Sequence, residues 1–263
     1  MSEPTRARVF GEVADEYDAV RPGYAPDAFL RITEFARLDT GSRVLEVGAG
    51  TGKATAALAQ MEVDLDAVEP DPAMAAIGAR RLAANPRVRF HLDAFETWTP
   101  SAPPYTLITS FAAWHWVDPT VGYAKAHRLL EPGGALALVW NRPAWHDRSL
   151  VRELGEVYTR LLPEHAYAPM PMMRPSSIDT ERAAEIDGSG LFHLESVEDF
   201  AVDHRFSADQ VVQLLRTQSY HRVLSPQLAA TLEGHLEAAI HARGGFTTAT
   251  CTTRVYLARR TAA

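Results

Sequence analysis

The stretch VLEVGAGTGK, residues Val44 to Lys53, decides the fold. Its first four residues have the composition of a buried strand, and glycines follow at Gly48, Gly50 and Gly52. Glycine lets a chain turn tightly and lets a ligand approach without a Cβ in the way. Since an Ala-rich segment comes next, the stretch predicts a first strand, a ligand-binding turn and a helix.

Beyond this stretch, short apolar runs alternate with segments of helical spacing. This order is typical of an α/β architecture, with a mostly parallel sheet covered by helices on both faces. The later predicted strands are Leu65–Val68, Val88–Leu92, Tyr105–Ser110, Ala135–Trp140, Leu194–His204 and Thr250–Ala258.

The chain is predicted as a single domain, residues 1–263, with two distinct segments. Residues 1–25 are polar with scattered aromatic residues. Residues 142–187 break the strand–helix rhythm and include a Pro- and Met-rich piece. The second segment is predicted to be a lid or an acceptor-pocket insertion between strands five and six.

The bulk composition argues against several function classes. With 26 basic and 33 acidic residues, a net charge of −7 and no basic run, nucleic acid is not expected as a partner. One cysteine rules out a disulfide framework within the chain, and the scattered Asp118, Asp147 and Asp179 predict no metal site. Apolar stretches with the length of a membrane span or the position of a signal peptide are lacking. A cytoplasmic monomer or homodimer is expected.

Acidic residues at the ends of three predicted strands discriminate between ligands. Glu46 precedes the first glycine, Glu69 follows strand two and Asp93 follows strand three. A carboxylate repels a pyrophosphate but favours the ammonium and sulfonium of S-adenosylmethionine (SAM), and a dinucleotide fingerprint needs glycine where Lys53 stands. The pattern predicts that Glu69 accepts from ribose hydroxyls and Asp93 from the adenine amino group. Asp71, before a proline, is instead typical of a helix cap.

The glycine stretch resembles motif I of the class I SAM-dependent methyltransferases. The runs AVEPDPAM (67–74), HLDAFE (91–96) and LLEPGG (129–134) resemble further segments of that family. The resemblance implies a Rossmann-like three-layer sandwich, whose seven-stranded, mostly parallel sheet has an antiparallel last strand. It also implies SAM as cofactor. The residues placed at the cofactor are Tyr17, Arg21, Glu46, Gly48, Ala49, Gly50, Thr51, Gly52, Glu69, Pro70, Asp93, Ala94, Phe95, Ser110 and Phe111.

The loop after strand four carries Trp114, His115 and Trp116, an unusual set beside a methyl donor. Aromatic faces stabilise a sulfonium or a cationic acceptor. His115, the predicted catalytic residue, can take a proton from an acceptor hydroxyl or donate to an acceptor carboxylate. In the alternative, the tryptophans pack under the next helix and His115 is a fixed hydrogen-bond partner. The predicted acceptor-binding residues are Trp114, His115, Trp116, Asn141, Arg142 and Tyr167.

Residues 10–24, together with this loop, resemble a narrower group of small-molecule methyltransferases that includes trans-aconitate methyltransferase-like enzymes. In that group the N-terminal segment folds over the bound cofactor. The resemblance therefore implies that Tyr17 and Arg21 close the site, with Arg21 near a carboxylate. Thr106 departs from the pattern, because many relatives have an acidic residue at that place.

These patterns predict transfer of a methyl group from SAM to a small-molecule acceptor, onto a hydroxyl or carboxylate oxygen, in specialised metabolism. Alignment of acceptor, methyl and sulfur supplies most of the catalysis in such a reaction, so a strong base is optional. Three alternatives stay open: a cyclase or lyase of the same fold acting on SAM itself, a non-catalytic SAM-binding module, and a nicotinamide-dependent oxidoreductase, which Glu46 and Lys53 disfavour.

Overall fold

Strands and helices alternate through the first half of the chain. The computed structural model describes residues 14–100, 104–162, 170–172, 177–218 and 220–262, without the side chains of Tyr17 and residues 177–179. The strands are β1 (Arg43–Val47), β2 (Asp64–Glu69), β3 (Val88–Leu92), β4 (Tyr105–Phe111), β5 (Leu130–Trp145), β6 (Phe192–Ser207) and β7 (Phe246–Arg260). The helices are α1 (Ala14–Val20), α2 (Pro26–Ala36), α3 (Lys53–Ala59), α4 (Pro72–Arg81), α5 (Pro119–Leu129), α6 (Arg148–Leu161), α7 (Ser177–Gly188), α8 (Ala208–Arg216) and α9 (Pro226–His241).

In the part of the chain that is described, seven strands form one sheet in the order β3-β2-β1-β4-β5-β7-β6. The first five strands pair in parallel with their neighbours. β7 runs antiparallel to both β5 and β6. The predicted fold class, a mostly parallel sheet with an antiparallel last strand, is confirmed.

Both faces of the sheet are buried, because alternate residues of a strand point to opposite sides. Val44 packs in a cluster with Ile32 of α2 and Leu58 of α3. Leu45 packs on the other face, in a cluster that includes Ile186 of α7. Burying one such side chain contributes roughly 1.5–3 kcal/mol, so the two clusters hold the three layers together.

Aspartates followed by proline begin two of the helices that leave the carboxyl edge of the sheet. Asp71 accepts hydrogen bonds from the amides of Ala73 (2.9 Å) and Met74 (3.1 Å), and Asp118 accepts from the amide of Thr120 (2.9 Å). Such caps satisfy amides that a helix leaves unpaired, at about 1 kcal/mol each. The interpretation of Asp71 as a helix cap is confirmed.

The strands β5, β6 and β7 are much longer than the other four. β5 pairs with β4 as far as Val139 and then continues to Trp145, paired with β7. The prediction that this strand ends at Trp140 was wrong, because β7 offers a partner beyond the edge of the parallel sheet. The extended strand ends pack with α6, α8 and α9 around an apolar cluster that includes Trp145. We call this assembly the cap.

The segment 142–187, predicted as a lid, occupies three places. Its first residues belong to β5, α6 belongs to the cap, and α7 covers the sheet with the Arg182 guanidinium 5.2 Å from the centre of the Trp140 ring. Its part in acceptor binding stays a prediction. Within the described ranges, no helix combines the length and the apolar character that a membrane span requires.

Candidate active site

A cavity of about 740 Å³, partly open to solvent, lies at the carboxyl ends of β1, β4 and β5. Ligands of open α/β sheets bind at this edge. Its walls come from the loop after β1, from the N-terminal segment, from the ends of β4 and β5, and from the cap. The predicted cofactor residues that line it are Arg21, Glu46, Gly48, Ala49, Gly50, Thr51 and Phe111.

The glycine loop packs closely against its neighbours, and its backbone amides form hydrogen bonds within the protein. Gly48 has a φ of 73°, and a Cβ at this position would overlap the side chain of Ala113. The amides of Gly48 and Ala49 donate to the Val68 carbonyl (2.8 and 3.1 Å), and the Gly50 amide donates to a Glu69 carboxylate oxygen (2.8 Å). A pyrophosphate site needs loop amides directed at the ligand. These three amides are used inside the protein, so the geometry disfavours a dinucleotide.

Glu46 is a buried acid in the wall of this cavity. Its side chain ends β1 and is only 1% exposed, and its Oε2 atom has no hydrogen-bond partner among the described residues. Burial, with a smaller contribution from the nearby Glu69 charge and against a lowering effect of Thr55, raises the pKa of Glu46 from 4.5 to about 8. A buried carboxylate oxygen left unpaired is costly unless a ligand donates to it. The ammonium of SAM is such a donor.

Glu69 supports the loop from beneath. Its two carboxylate oxygens accept from the amides of Gly50 (2.8 Å) and Asp71 (2.9 Å), and burial raises its pKa to about 7. It is not among the residues that line the cavity. In the described part of the chain, no group of three His, Cys, Asp or Glu side chains is placed to hold a metal ion.

The predicted adenine segment lies at the end of β3, outside the cavity lining. Asp93 accepts from the Ala94 amide (2.8 Å), and the neighbouring Phe95 is buried against the Trp114 ring (5.9 Å between centres). Lys125 of α5 donates to the Phe95 carbonyl (2.6 Å) and so fixes this segment to α5. Two further predicted cofactor residues, the half-buried Pro70 and the fully buried Ser110, also lie off the lining.

The N-terminal helix α1 is fastened to the glycine loop. Asp18 accepts from the Thr51 hydroxyl (2.7 Å) and from Arg81 (2.5 Å), while the Lys53 ammonium donates to the Arg21 carbonyl (2.5 Å). The Arg21 guanidinium lines the cavity and reaches into the cap. The predicted covering residue Tyr17 lies in α1, but its side chain is outside the described residues.

The loop after β4 separates its three predicted acceptor residues. Trp114 is buried against Tyr123, with ring centres 5.3 Å apart, which matches the packing alternative. His115 and Trp116 are half-buried with rings 4.7 Å apart, and none of the three lines the cavity. The Trp140 indole N–H donates to His115 Nδ1 (3.4 Å), so a neutral His115 carries its proton on Nε2. In this neutral form, Nδ1 is the acceptor and Nε2 is the donor atom of His115.

The end of β5 divides the remaining predicted acceptor residues. Asn141 lines the cavity, and its amide donates to the Gly23 carbonyl (2.8 Å) and accepts from the Thr253 hydroxyl (2.7 Å). Arg142 is half-buried and does not line the cavity. Tyr167 lies outside the described residues.

Several cavity residues were missed as site residues. Trp140 and Tyr24 line the cavity but are not among the predicted site residues. Lys53, judged only against the glycine fingerprint, also lines it. Met172, which was predicted only as part of the Met-rich piece of the lid, also lines the cavity. Gln218 lines it as well. Gln218 follows α8 in the cap and belongs to no local motif that could have identified it.

Known methyltransferases are similar in sequence to part of this chain. A family model described as a methyltransferase domain matches residues 44–134. An uncharacterized methyltransferase of Mycobacterium tuberculosis (strain ATCC 25618 / H37Rv) is 37% identical over 155 residues, 57% of this chain and 59% of that protein's own length. One of Geobacillus kaustophilus (strain HTA426) is 30% identical over 156 residues, 56% of this chain and 71% of that protein.

The chain belongs to the class I SAM-dependent methyltransferases. A solved SAM-dependent methyltransferase from Thiobacillus denitrificans, in complex with S-adenosyl-L-homocysteine, has a TM-score of 0.53 at 14% identity, covering 94% of this chain and 96% of that one. This likeness shows the fold that the two share. SAM is the cofactor of the family, and the unpaired oxygen of Glu46 in this methyltransferase fits its ammonium.

Proposed function

We propose that this methyltransferase transfers the methyl group of SAM to an oxygen atom of a small molecule. The observation that carries the proposal is the buried, unpartnered Oε2 of Glu46 in the cavity wall, where a cofactor ammonium would complete a charge-assisted hydrogen bond. When bound, SAM supplies an activated methyl group: the acceptor oxygen forms the new bond to carbon as the carbon–sulfur bond breaks towards sulfur, and the acceptor's proton passes to solvent.

The remaining contacts to the cofactor are proposed from the family pattern. Arg21 and Lys53 bring positive charge to the cavity for the cofactor carboxylate. Glu69 uses each oxygen for one amide, and a carboxylate has about four acceptor sites, so it retains capacity for ribose hydroxyls. Asp93 is assigned to the adenine amino group. The contacts that fasten α1 to the loop support a covering role for residues 14–25, and residues 1–13 of the predicted covering segment lie outside the described residues.

His115 is proposed to act as a hydrogen-bond donor to the acceptor. Its Nδ1 accepts from the Trp140 indole N–H, so a neutral His115 can donate only through Nε2. A histidine in this state orients an acceptor oxygen and does not remove its proton. Since alignment supplies most of the catalysis, a strong base is not required.

The acceptor is proposed to be a small molecule, consistent with a cavity whose walls include Tyr24, Phe111 and Trp140. A role in specialised metabolism and a cytoplasmic site of action are parts of the same proposal.

Calorimetry with SAM tests the proposal directly. Glu46→Gln is expected to weaken binding about 10- to 100-fold, because a hydrogen bond to a charged group is lost. Glu34→Gln, at an exposed glutamate of α2, should bind as the unaltered protein does. Absence of SAM binding to the unaltered protein would refute the proposal. Mass spectrometry of SAM with protein alone then checks the chemistry: methylthioadenosine without an acceptor would contradict methyl transfer.

A further inference from the structure

Gln218 is a buried polar residue that the cap places in the cavity. It lies just beyond the end of α8, is 7% exposed, and lines the same cavity as Tyr24, Phe111 and Trp140. The lining combines these aromatic residues with the polar side chains of Arg21, Lys53 and Asn141. A buried amide in such a wall must satisfy both its donor and its acceptor atoms.

The hydrogen bonds of Gln218 fix which way its amide points. The Nε2 group donates to the Leu214 carbonyl (2.9 Å) and contacts the Thr217 hydroxyl at 3.5 Å. Because a carbonyl oxygen cannot face another carbonyl at this distance, the nitrogen must be the atom on that side. Within the described residues, Oε1 accepts no hydrogen bond. The acceptor atom of the amide is thus left for a ligand.

This arrangement selects between classes of methyl acceptor. A hydroxyl or an N–H group can donate to Oε1, whereas an ionised carboxylate is acceptor-only and cannot. Of the cations of the lining, Lys53 belongs to the glycine loop, whereas the Arg21 guanidinium donates to the hydroxyl and the carbonyl of Thr217, next to Gln218. The cap side of the cavity therefore offers an aromatic wall and the Oε1 acceptor atom of Gln218, and the Arg21 guanidinium beside it is already bound to Thr217.

We infer that Gln218 reads the acceptor and that this methyltransferase takes neutral, largely apolar molecules carrying a hydroxyl or N–H group rather than carboxylates. The inference rests on the proposed function and narrows its oxygen acceptor to a hydroxyl. A binding site with a buried hydrogen-bond acceptor rejects a ligand analogue that lacks the OH or NH group, because the buried acceptor is then left unpaired.

The test measures binding to the protein saturated with S-adenosylhomocysteine, using phenol, its methyl ether anisole, and benzoate as probes. Their affinities are read from the indole N–H signals of the five tryptophans in nitrogen-15 spectra. We expect phenol to bind about fivefold more tightly than anisole, which is the range of one neutral hydrogen bond. The affinity for phenol should exceed the affinity for benzoate by at least the same factor. In Gln218→Met the phenol preference should fall to about one. Gln213→Met, one turn earlier on α8 and off the lining, should keep it.

Three results would overturn the inference: benzoate binding more tightly than phenol, an unchanged phenol preference in Gln218→Met, or no probe binding to the loaded protein. If Gln218→Met does not fold, the comparison of aniline with N,N-dimethylaniline in the unaltered protein asks the same question of an N–H donor, and equal affinities would overturn the inference. Failure of the proposed function is separate, since it appears as loss of S-adenosylhomocysteine binding.

Discussion

The parallel half of the sheet and the cap share strand β5, yet the sequence specifies the two regions in different ways. In the parallel half, strand, glycine loop and helix follow one another within Arg43–Ala59, so the cofactor edge is built from adjacent residues. The cap brings Met172 and Gln218 to the same cavity from distant segments. Local sequence therefore specifies the glycine-loop side of the cavity, and long-range packing specifies the cap side.

The two regions also differ in what they bury. The parallel half buries Glu46 and Glu69, whose pKa values burial raises to about 8 and about 7. The cap buries an apolar cluster that includes Trp145, Leu150 and Leu214. Buried acids cost stability in the ligand-free protein, whereas buried apolar side chains contribute to it. The cofactor side thus gives up stability for binding, and the cap does not.

The largest effect is expected from Glu46→Gln in the ligand-free protein at high pH. Because the pKa of Glu46 is raised from 4.5 to about 8, the folded protein holds a proton between these values that the unfolded chain releases. The stability from this group is complete below the lower value and is lost as pH rises through the upper one. Glutamine has no such loss. Denaturant unfolding should show no gain near pH 4.5 and a gain on the order of 4 kcal/mol near pH 9.

The exposed Glu34→Gln variant serves as the control and should show no pH-dependent gain. A gain for Glu46→Gln that is the same at both pH values would contradict the linkage. Saturating SAM should reverse the order of the two proteins, because only the unaltered carboxylate pairs with the ammonium. Glu46 would then be shown both to lower the stability of the ligand-free protein and to support SAM binding.

A smaller effect should reveal whether the cap unfolds on its own. Leu150 of α6 and Leu58 of α3 are both fully buried, one in the cap cluster and one in the sheet cluster. Replacing either by alanine should cost roughly 2–3 kcal/mol. Leu150→Ala should speed amide exchange in α6, α8 and α9 and leave β1 and β2 protected. Uniform acceleration in both variants would show that the two regions unfold together.

The fold of the first half could be predicted because each element carries its own signal. β1 is an apolar run, the turn is marked by glycines, and Asp71 caps the next helix. The extension of β5 could not be predicted, since residues 141–145 include Pro143 and lack strand alternation. These residues form a strand because β7 lies beside them, and such pairing is not visible in local sequence.

The candidate site divides in the same way. Glu46 and the glycine loop were predicted by residue type and position, and the structure places them in one cavity. Trp114 was assigned to the acceptor by residue type, but the sequence held no information about which way its ring points, and it packs in the core. Gln218 had no sequence signal, because its role depends on the path of the cap.

The smallest effect is expected where the two regions meet, at Thr217. Its hydroxyl accepts from Arg21 Nε (2.9 Å) and donates to the Leu214 carbonyl (2.7 Å), and its carbonyl accepts from Arg21 Nη2 (2.9 Å). Thr217→Val keeps the shape but removes the hydroxyl, so stability should fall by about 1 kcal/mol and amides of α1 should exchange about fivefold faster. Thr231→Val, on α9, removes a similar hydroxyl bond to a helix carbonyl, at Gln227, without touching the N-terminal segment. If both variants accelerated amide exchange in α1 equally, the contact between Arg21 and Thr217 would not explain how the proposed cofactor-covering segment is held to the cap. If only Thr217→Val does so, the acceptor side of the cavity and the cover of the cofactor side move as one unit, although sequence specifies them separately.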